Sequence, residues 1–180
     1  MSRKKIATVW LGGCSGCHMS FLDIDERILD VVKLADIVKS PIVDTKAFPD
    51  DVDIAIIEGA VASDEHLSEI KHIRQKSKTL VALGDCAVTG NVTSLRNGIP
   101  KGELLTYSYK DAISNDQGVL PDDPILQQLT DQVHPLHEVV SVDYYIPGCP
   151  PSADVIFYVL FELLNDRVPD LDKERKLRYG

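Results

Sequence analysis

The chain has 180 residues, 44% of them hydrophobic and 26% charged, with a formal net charge of −9. This length suits one globular core, and the composition excludes a wholly disordered or collagen-like chain. The acidic balance argues against a nucleic-acid partner, because binding to phosphates depends on lysine and arginine.

The first half of the chain alternates predicted strands and helices. Four short apolar runs rich in β-branched residues predict buried strands, at residues 6–11, 36–43, 52–57 and 79–83. Apolar residues recur at helical spacing over residues 19–33, which predicts a helix there. Ser63 is a predicted N-cap for a second helix that runs to about residue 77.

The second half begins with a weaker pattern. Residues 84–123 predict a long irregular excursion with one short helix near residues 92–96. Pro124 predicts the start of a helix through about residue 133. A strand at residues 139–146, an apolar helix at residues 152–166 and a charged tail at residues 167–180 complete the chain.

The order of these elements predicts the fold class. Strands that alternate with helices are typical of an α/β fold with a parallel sheet covered on both faces. We therefore expect a flavodoxin-like, doubly wound parallel sheet in a single domain over residues 1–180. The apolar run at residues 6–11 is too short for a signal peptide or a membrane span, so we expect a cytoplasmic protein without a transmembrane segment.

All four cysteines follow predicted strands. Cys14 and Cys17 come after the first strand, Cys86 after residues 79–83, and Cys149 after residues 139–146. The carboxyl ends of parallel strands meet at one edge of a sheet, where ligands bind, so we expect the four thiols to converge. Cytoplasmic thiols stay reduced, and four cysteines are too few for a disulfide scaffold. The pattern therefore indicates a metal site.

Four thiolates suit either an iron–sulfur cluster or a structural zinc ion. Zinc sites with four cysteines mostly combine two short CxxC hooks. Here one CxxC is joined by two isolated cysteines, which favours a 4Fe–4S cluster. Structural zinc and a redox dithiol at Cys14 and Cys17 remain as alternatives.

Four motifs carry a family resemblance. VWLGGCSGC, VDIAIIEGAV, LVALGDCAVTGNV and YYIPGCPPS, spread from Val9 to about Leu163, resemble the small subunit of nickel–iron hydrogenases. The resemblance implies a flavodoxin-like fold that holds the 4Fe–4S cluster proximal to the nickel–iron centre. It implies the ligands Cys14, Cys17, Cys86 and Cys149, and places the nickel–iron centre and all catalytic residues in a separate large subunit.

The chain is most similar to the short, one-cluster subunit of cytoplasmic bidirectional, NAD(P)-coupled hydrogenases of the cyanobacterial type. Other small subunits continue into cysteine-rich extensions, whereas this sequence has no fifth cysteine before Gly180. The resemblance implies an electron-transfer subunit of a hydrogen:NAD(P)+ oxidoreductase. Its partners would be the large subunit and diaphorase subunits that carry further clusters and flavin.

Two other functions remain as alternatives. The cluster-bearing subunit of complex I-like NADH:quinone oxidoreductases resembles this chain in fold and in the last two motifs, but it has adjacent cysteines rather than CxxC. A flavodoxin-like FMN carrier is suggested by Thr89, Asn91 and Thr93, which resemble a flavin phosphate loop. The cluster would occupy the same crevice, so we expect no FMN in this chain.

Other polar residues lie near these motifs. Glu58 ends the strand at residues 52–57 and is a candidate proton relay or an acid that supports the cluster, although it can also simply organise the turn. His18 can tune the cluster through a hydrogen bond, but a surface position is favoured. His134 and His137 are predicted to lie in a solvated loop.

Overall fold

The computed structural model describes residues 3–173, so residues 174–180 of the predicted charged tail lie outside the described residues. Within residues 3–173, the structure has seven strands: β1 Lys4–Trp10, β2 Ala35–Lys39, β3 Val52–Glu58, β4 Val61–Ser63, β5 Ser77–Leu83, β6 Leu129–His134 and β7 Tyr144–Ile146. In the same part of the chain, six α-helices connect or cover them: α1 Gly16–Leu22, α2 Ile28–Leu34, α3 Asp64–Lys76, α4 Asp85–Thr89, α5 Lys101–Leu105 and α6 Ala153–Leu164.

The main sheet has five parallel strands in the order β2-β1-β3-β5-β7. The strand order reverses direction at β1, which is the doubly wound arrangement that places a ligand crevice at the carboxyl edge. The predicted flavodoxin-like α/β fold is therefore confirmed. Within residues 3–173, every helix is too short or too polar to span a lipid bilayer.

The two faces of the sheet bury separate cores. Neighbouring residues of β3 alternate between them, so that Ile56 joins one core and Ile57 the other. The first core includes Phe21 of α1 and Leu160 of α6, while the second includes Ile70 of α3. Burial on both faces explains why these strands read as continuous apolar runs.

A small second sheet corrects the predicted helix at residues 124–133. Leu129–His134 is instead strand β6, which pairs antiparallel with β4 through Ser63↔Leu129 and Val61↔His134. Within β6, Val133 is buried while Asp131 and Gln132 are exposed. Tertiary pairing with β4 therefore outweighs the local helix signal at Pro124.

The predicted helix at residues 19–33 is divided into α1 and α2 by a 3₁₀ turn at Asp25–Arg27. Asp25 has a φ of +55°, a left-handed conformation that an α-helix does not accommodate. The strand predicted at 36–43 ends at Lys39, just before Pro41, and the strand predicted at 139–146 is regular only over Tyr144–Ile146.

The excursion at residues 84–123 is more helical than the sequence predicts. It contains α4, a 3₁₀ helix at Asn91–Gly98, α5 and a π-helical turn at Thr106–Lys110. The short helix expected near residues 92–96 lies within the 3₁₀ segment. Residues 111–128 form no regular helix or strand.

Candidate functional site

The four cysteines lie in three loops at the carboxyl edge of the main sheet. Cys14 follows β1 and Cys17 lies in the first turn of α1, while Cys86 lies in α4 after β5 and Cys149 follows β7. All four are free thiols; Cys17 is buried, Cys86 is half-buried, and Cys14 and Cys149 are exposed. The site is thus closed on the protein side and open at the surface.

The thiols are electrostatic neighbours. Burial raises the pKa of Cys17, and the nearby Glu58 carboxylate and the thiols of Cys86, Cys14 and Cys149 raise this pKa further. Burial and the same neighbouring thiols, Cys149 and Cys14, also raise the pKa of Cys86. Negative charge at this edge therefore requires a cationic partner, which the iron or zinc ions of a thiolate site provide.

The glycines beside the cysteines leave room for a group bound by the thiols. Gly84 has a φ of +81°, and a Cβ placed on it would overlap the Cys17 Sγ atom. A Cβ placed on Gly16 would lie 3.2 Å from the Cys14 Sγ atom. These glycines and the all-sulfur donor set fit a 4Fe–4S cluster.

The positions of potential metal-binding side chains can be compared with the arrangement that a single zinc ion requires. Among residues 3–173, no three His, Cys, Asp or Glu side chains are grouped closely enough to hold a single metal ion. A tetrahedral zinc ion needs sulfur atoms about 3.8 Å apart, given Zn–S bonds of about 2.3 Å. In a 4Fe–4S cluster, each thiolate binds a different iron, so the four sulfur atoms need not converge on a single ion.

Glu58 is a buried carboxylate at the end of β3, between the strands that lead to the cysteine loops. Its side chain is only 2% exposed. The carboxylate accepts hydrogen bonds from the backbone N–H groups of Cys17, at 3.3 Å, and His18, at 2.8 Å. It therefore holds the turn that carries the CxxC motif, whatever further role it has.

His18 is buried, so the favoured surface position is wrong. Its Nδ1 atom lies 2.5 Å from the Glu58 carboxylate, and its ring packs edge-to-face against Trp10 at a centroid distance of 5.4 Å. Within the described chain, its Nε2 atom is buried without a hydrogen-bond partner. The hydrophilic character of histidine gave no sign of this burial, because it depends on the position of Glu58 in β3.

Asp85 is a further buried residue at this edge that the sequence motifs do not single out. It directly precedes Cys86 and is 6% exposed. Its carboxylate accepts a hydrogen bond from the backbone N–H of Gly148 at 2.6 Å. An acid directly before a candidate ligand was the available signal, but acids are common in the first turn of any helix.

The remaining candidates differ in whether they reach the cysteines. The hydroxyls of Thr89 and Thr93 donate to the backbone carbonyls of Asp85 and Gly90. Thr93 also hydrogen-bonds Cys86, which acts to lower the pKa of that thiol against the effect of burial. His134 lies 2.6 Å from the Glu138 carboxylate, and His137 packs against the ring of Tyr145.

Comparison with known proteins places the chain in a family. Residues 14–163 match the model of the NADH ubiquinone oxidoreductase, 20 Kd subunit, and the chain belongs to this family. Within it, the chain is 40% identical to the NAD-reducing hydrogenase HoxS subunit delta of Cupriavidus necator, over 93% of this chain and 81% of that protein. The resemblance to hydrogenase small subunits is thus confirmed.

Two further comparisons agree. The chain is 42% identical to one subunit of the F420-non-reducing hydrogenase of Methanothermobacter marburgensis, over 89% of this chain but only 53% of that protein. A crystal structure of NAD+-reducing [NiFe]-hydrogenase in the H2-reduced state contains a chain with 40% identity and a TM-score of 0.95. That match covers 99% of this chain and 100% of the other.

Proposed function

We propose that this chain is the electron-transfer subunit of a heteromeric, bidirectional nickel–iron hydrogenase in the cytoplasm. It would hold one 4Fe–4S cluster and connect the nickel–iron site of a large subunit with NAD(P)-reducing diaphorase subunits. The observation that carries this proposal is the placement of all four cysteines around one edge of the sheet. The similarity to an NAD-reducing hydrogenase subunit supports the NAD(P)-coupled type.

Cys14, Cys17, Cys86 and Cys149 would hold the cluster, which when bound takes up and releases one electron at a time. The protein's own contribution is to place the thiols and to limit their contact with water. Cys17 is buried and Cys86 half-buried, so the sheet and α1 shield the site from below. Burial and hydrogen bonds to sulfur are the means by which a protein tunes a cluster's potential.

The open side of the site supports a large-subunit partner. Cys14 and Cys149 are exposed there, and three large apolar side chains within a few residues of the cysteines are also exposed. These are Trp10 at 42%, Met19 at 59% and Tyr145 at 40%. A partner that covers this edge would bury the apolar side chains and exclude water from the cluster.

The test of the ligand assignment is a series of single Cys→Ser variants of the anaerobically purified complex. We expect each variant to lose or convert the EPR signal of this cluster, because each thiolate binds one iron. Ser15→Ala is the control, since Ser15 lies between two cysteines and carries no thiol. A cysteine whose replacement leaves the spectrum unchanged is not a ligand.

We infer that Glu58 supports the cluster by holding the CxxC turn rather than by carrying protons. Glu58→Ala leaves the buried amides of Cys17 and His18 without their acceptor, which costs about 1–3 kcal/mol for each group. We therefore expect lower thermal stability and a weaker cluster signal. Glu58→Gln keeps one oxygen acceptor for the two N–H groups, which bond to different carboxylate oxygens, so it should retain stability and signal in part. Glu65→Ala, on the exposed side of α3, is the control.

A different result for Glu58→Gln would show that Glu58 carries protons. If Glu58→Gln keeps the iron content and the EPR spectrum but loses hydrogen turnover, then the carboxylate carries protons and the positioning role is not sufficient.

If this chain instead acts as a complex I-like subunit, we expect it to have different partners. The matched family is that of an NADH ubiquinone oxidoreductase subunit, so this alternative shares the fold. Co-purification discriminates the two functions: a nickel-containing large subunit supports the hydrogenase, and a quinone-reducing membrane complex supports the alternative.

A further inference from the structure

The two cysteine loops that follow β5 and β7 separate from the sheet at a definite point. The strands pair regularly up to Leu83↔Ile146, and Gly84 N–H still donates to the Ile146 carbonyl at 2.8 Å. Beyond this bond, the two chain segments leave the sheet to form the loops that carry Cys86 and Cys149. Some other contact must therefore set the distance between these loops.

Asp85 supplies such a contact, because its backbone and its side chain both bond to Gly148. Its backbone N–H donates to the Gly148 carbonyl at 2.9 Å, and its carboxylate accepts from the Gly148 N–H at 2.6 Å. Asp85 directly precedes Cys86, and Gly148 directly precedes Cys149. A single buried aspartate thus joins the residues that come immediately before two of the four cysteines.

Gly148 is constrained in its own loop, which makes this contact effective. Its φ is +134°, and a Cβ placed on it would lie 2.6 Å from the Cα atom of Pro151. A glycine held in this conformation, with both its N–H and C=O bonded to Asp85, leaves Cys149 little freedom to move relative to Cys86. Asp85 is 6% exposed, so water competes weakly for its carboxylate.

We propose that Asp85 is a positioning residue that fixes the spacing of Cys86 and Cys149 for cluster binding. This inference rests on the proposed function, in which these two cysteines are cluster ligands. Asp85 complements Glu58, which bonds the backbone of the CxxC turn on the other side of the site. The carboxylates act through backbone amides next to the cysteines, so the loops are arranged before any cluster is bound.

Asp143 offers a control with the same bonding pattern at the other end of β7. Its backbone N–H donates to the Leu80 carbonyl at 2.9 Å, and its carboxylate accepts from the Leu80 N–H at 2.7 Å. Arg74 also bonds this carboxylate, at 2.6 Å. Asp143 therefore bonds to β5 in the same way as Asp85 bonds to Gly148. It lies six residues before Cys149, at the end of β7 that is farther from the cysteines.

The experiment compares Asp85→Ala and Asp85→Asn with Asp143→Ala and Asp143→Asn in the anaerobically purified complex. The readouts are iron content, the EPR spectrum of the cluster and the thermal unfolding temperature. We expect Asp85→Ala to lose the cluster signal and about four iron atoms per complex relative to wild type. Asp85→Asn, which keeps an oxygen acceptor, should restore iron in part, and both Asp143 variants should keep the full signal even where stability falls.

Two results overturn this assignment. One is full iron and an unchanged spectrum in Asp85→Ala. The other is an equal loss of iron in Asp143→Ala, which would show that iron follows stability alone. If Asp85→Ala does not fold, the asparagine variants decide: less iron in Asp85→Asn than in Asp143→Asn supports the assignment, and equal iron in the two overturns it. A wild-type complex without a cluster on this chain would instead refute the proposed function.

Discussion

Gly84 is the residue where backbone conformation and the cysteine site are most directly linked. It has φ +81° and ψ 161°, a region of backbone space that is essentially reserved for glycine. A side chain at this position would also overlap the sulfur of Cys17. We therefore expect Gly84→Ala to lower the free energy of unfolding by roughly 1–3 kcal/mol and to lower the iron content.

Gly98→Ala is the matched control for this prediction. Among residues 3–173, and leaving aside its chain neighbours and the backbone of its own helix, Gly98 has no heavy atom within 4 Å of a Cβ placed on it. Thermal unfolding and iron analysis of the two variants should differ clearly. A Gly84→Ala protein with wild-type stability and iron would show that the loop adjusts freely, which would contradict the constraint set by the close approach of Gly84 to the Cys17 sulfur.

Glu69 lies outside the cysteine site, and its burial predicts that the free energy of unfolding depends on pH. It lines a cavity of about 320 Å³ beside β1, together with Trp10, Lys39 and His66. Burial raises the pKa of Glu69, although the nearby Lys39 acts in the opposite direction. The folded state therefore holds this proton more tightly than the unfolded state, and ionisation of Glu69 lowers stability as pH rises above about 4.3.

Glu69→Gln removes this titration. We expect the variant to be more stable than wild type at pH 7, with an advantage that shrinks as the pH falls towards about 4.3 and is absent below it. Urea unfolding at several pH values measures the difference. Glu103→Gln, an exposed change of the same charge, is the control. An advantage that is independent of pH would contradict the assigned cause.

At the scale of elements, buried strands were the most predictable parts of the fold. Apolar runs located β1, β3 and β5 to within a few residues, because strands covered on both faces contain few polar residues. The cap at Ser63 was equally clear, and its side chain accepts from the His66 N–H at the start of α3. Predicting these strands was enough to predict the parallel sheet.

Elements that depend on distant partners were not predictable from local patterns. β6 is a strand because it pairs with β4, more than sixty residues earlier in the chain. Asp25 interrupts the helix predicted over residues 19–33 through a left-handed φ, which the apolar spacing around it does not reveal. In both cases the deciding information is tertiary or conformational, not periodic.

The candidate site likewise contains residues that the sequence predicts and residues that it does not. The position of the cysteines after predicted strands was sufficient to place all four at one edge. The carboxylates that hold the loops were harder to recognise, because Asp85 and Glu58 act on backbone amides of residues that are distant in sequence. Sequence motifs report the ligands of a site more readily than the residues that position them.

At the scale of the whole molecule, the cysteines, the two buried carboxylates and several exposed apolar side chains all lie at the carboxyl edge of one sheet. The opposite edge carries ion pairs such as Lys78–Asp53 and Lys4–Asp166. This polarity fits the proposed electron-transfer subunit, in which one edge would hold a redox group and meet a partner while the remainder supports the fold.

We propose that the four thiols of this chain hold one 4Fe–4S cluster. The most direct measurement is the iron, acid-labile sulfide and zinc content of this chain purified anaerobically together with its large subunit. We predict a brown protein with about four acid-labile sulfides per copy of the chain and no stoichiometric zinc. A colourless protein with one zinc ion and no labile sulfide would contradict the account.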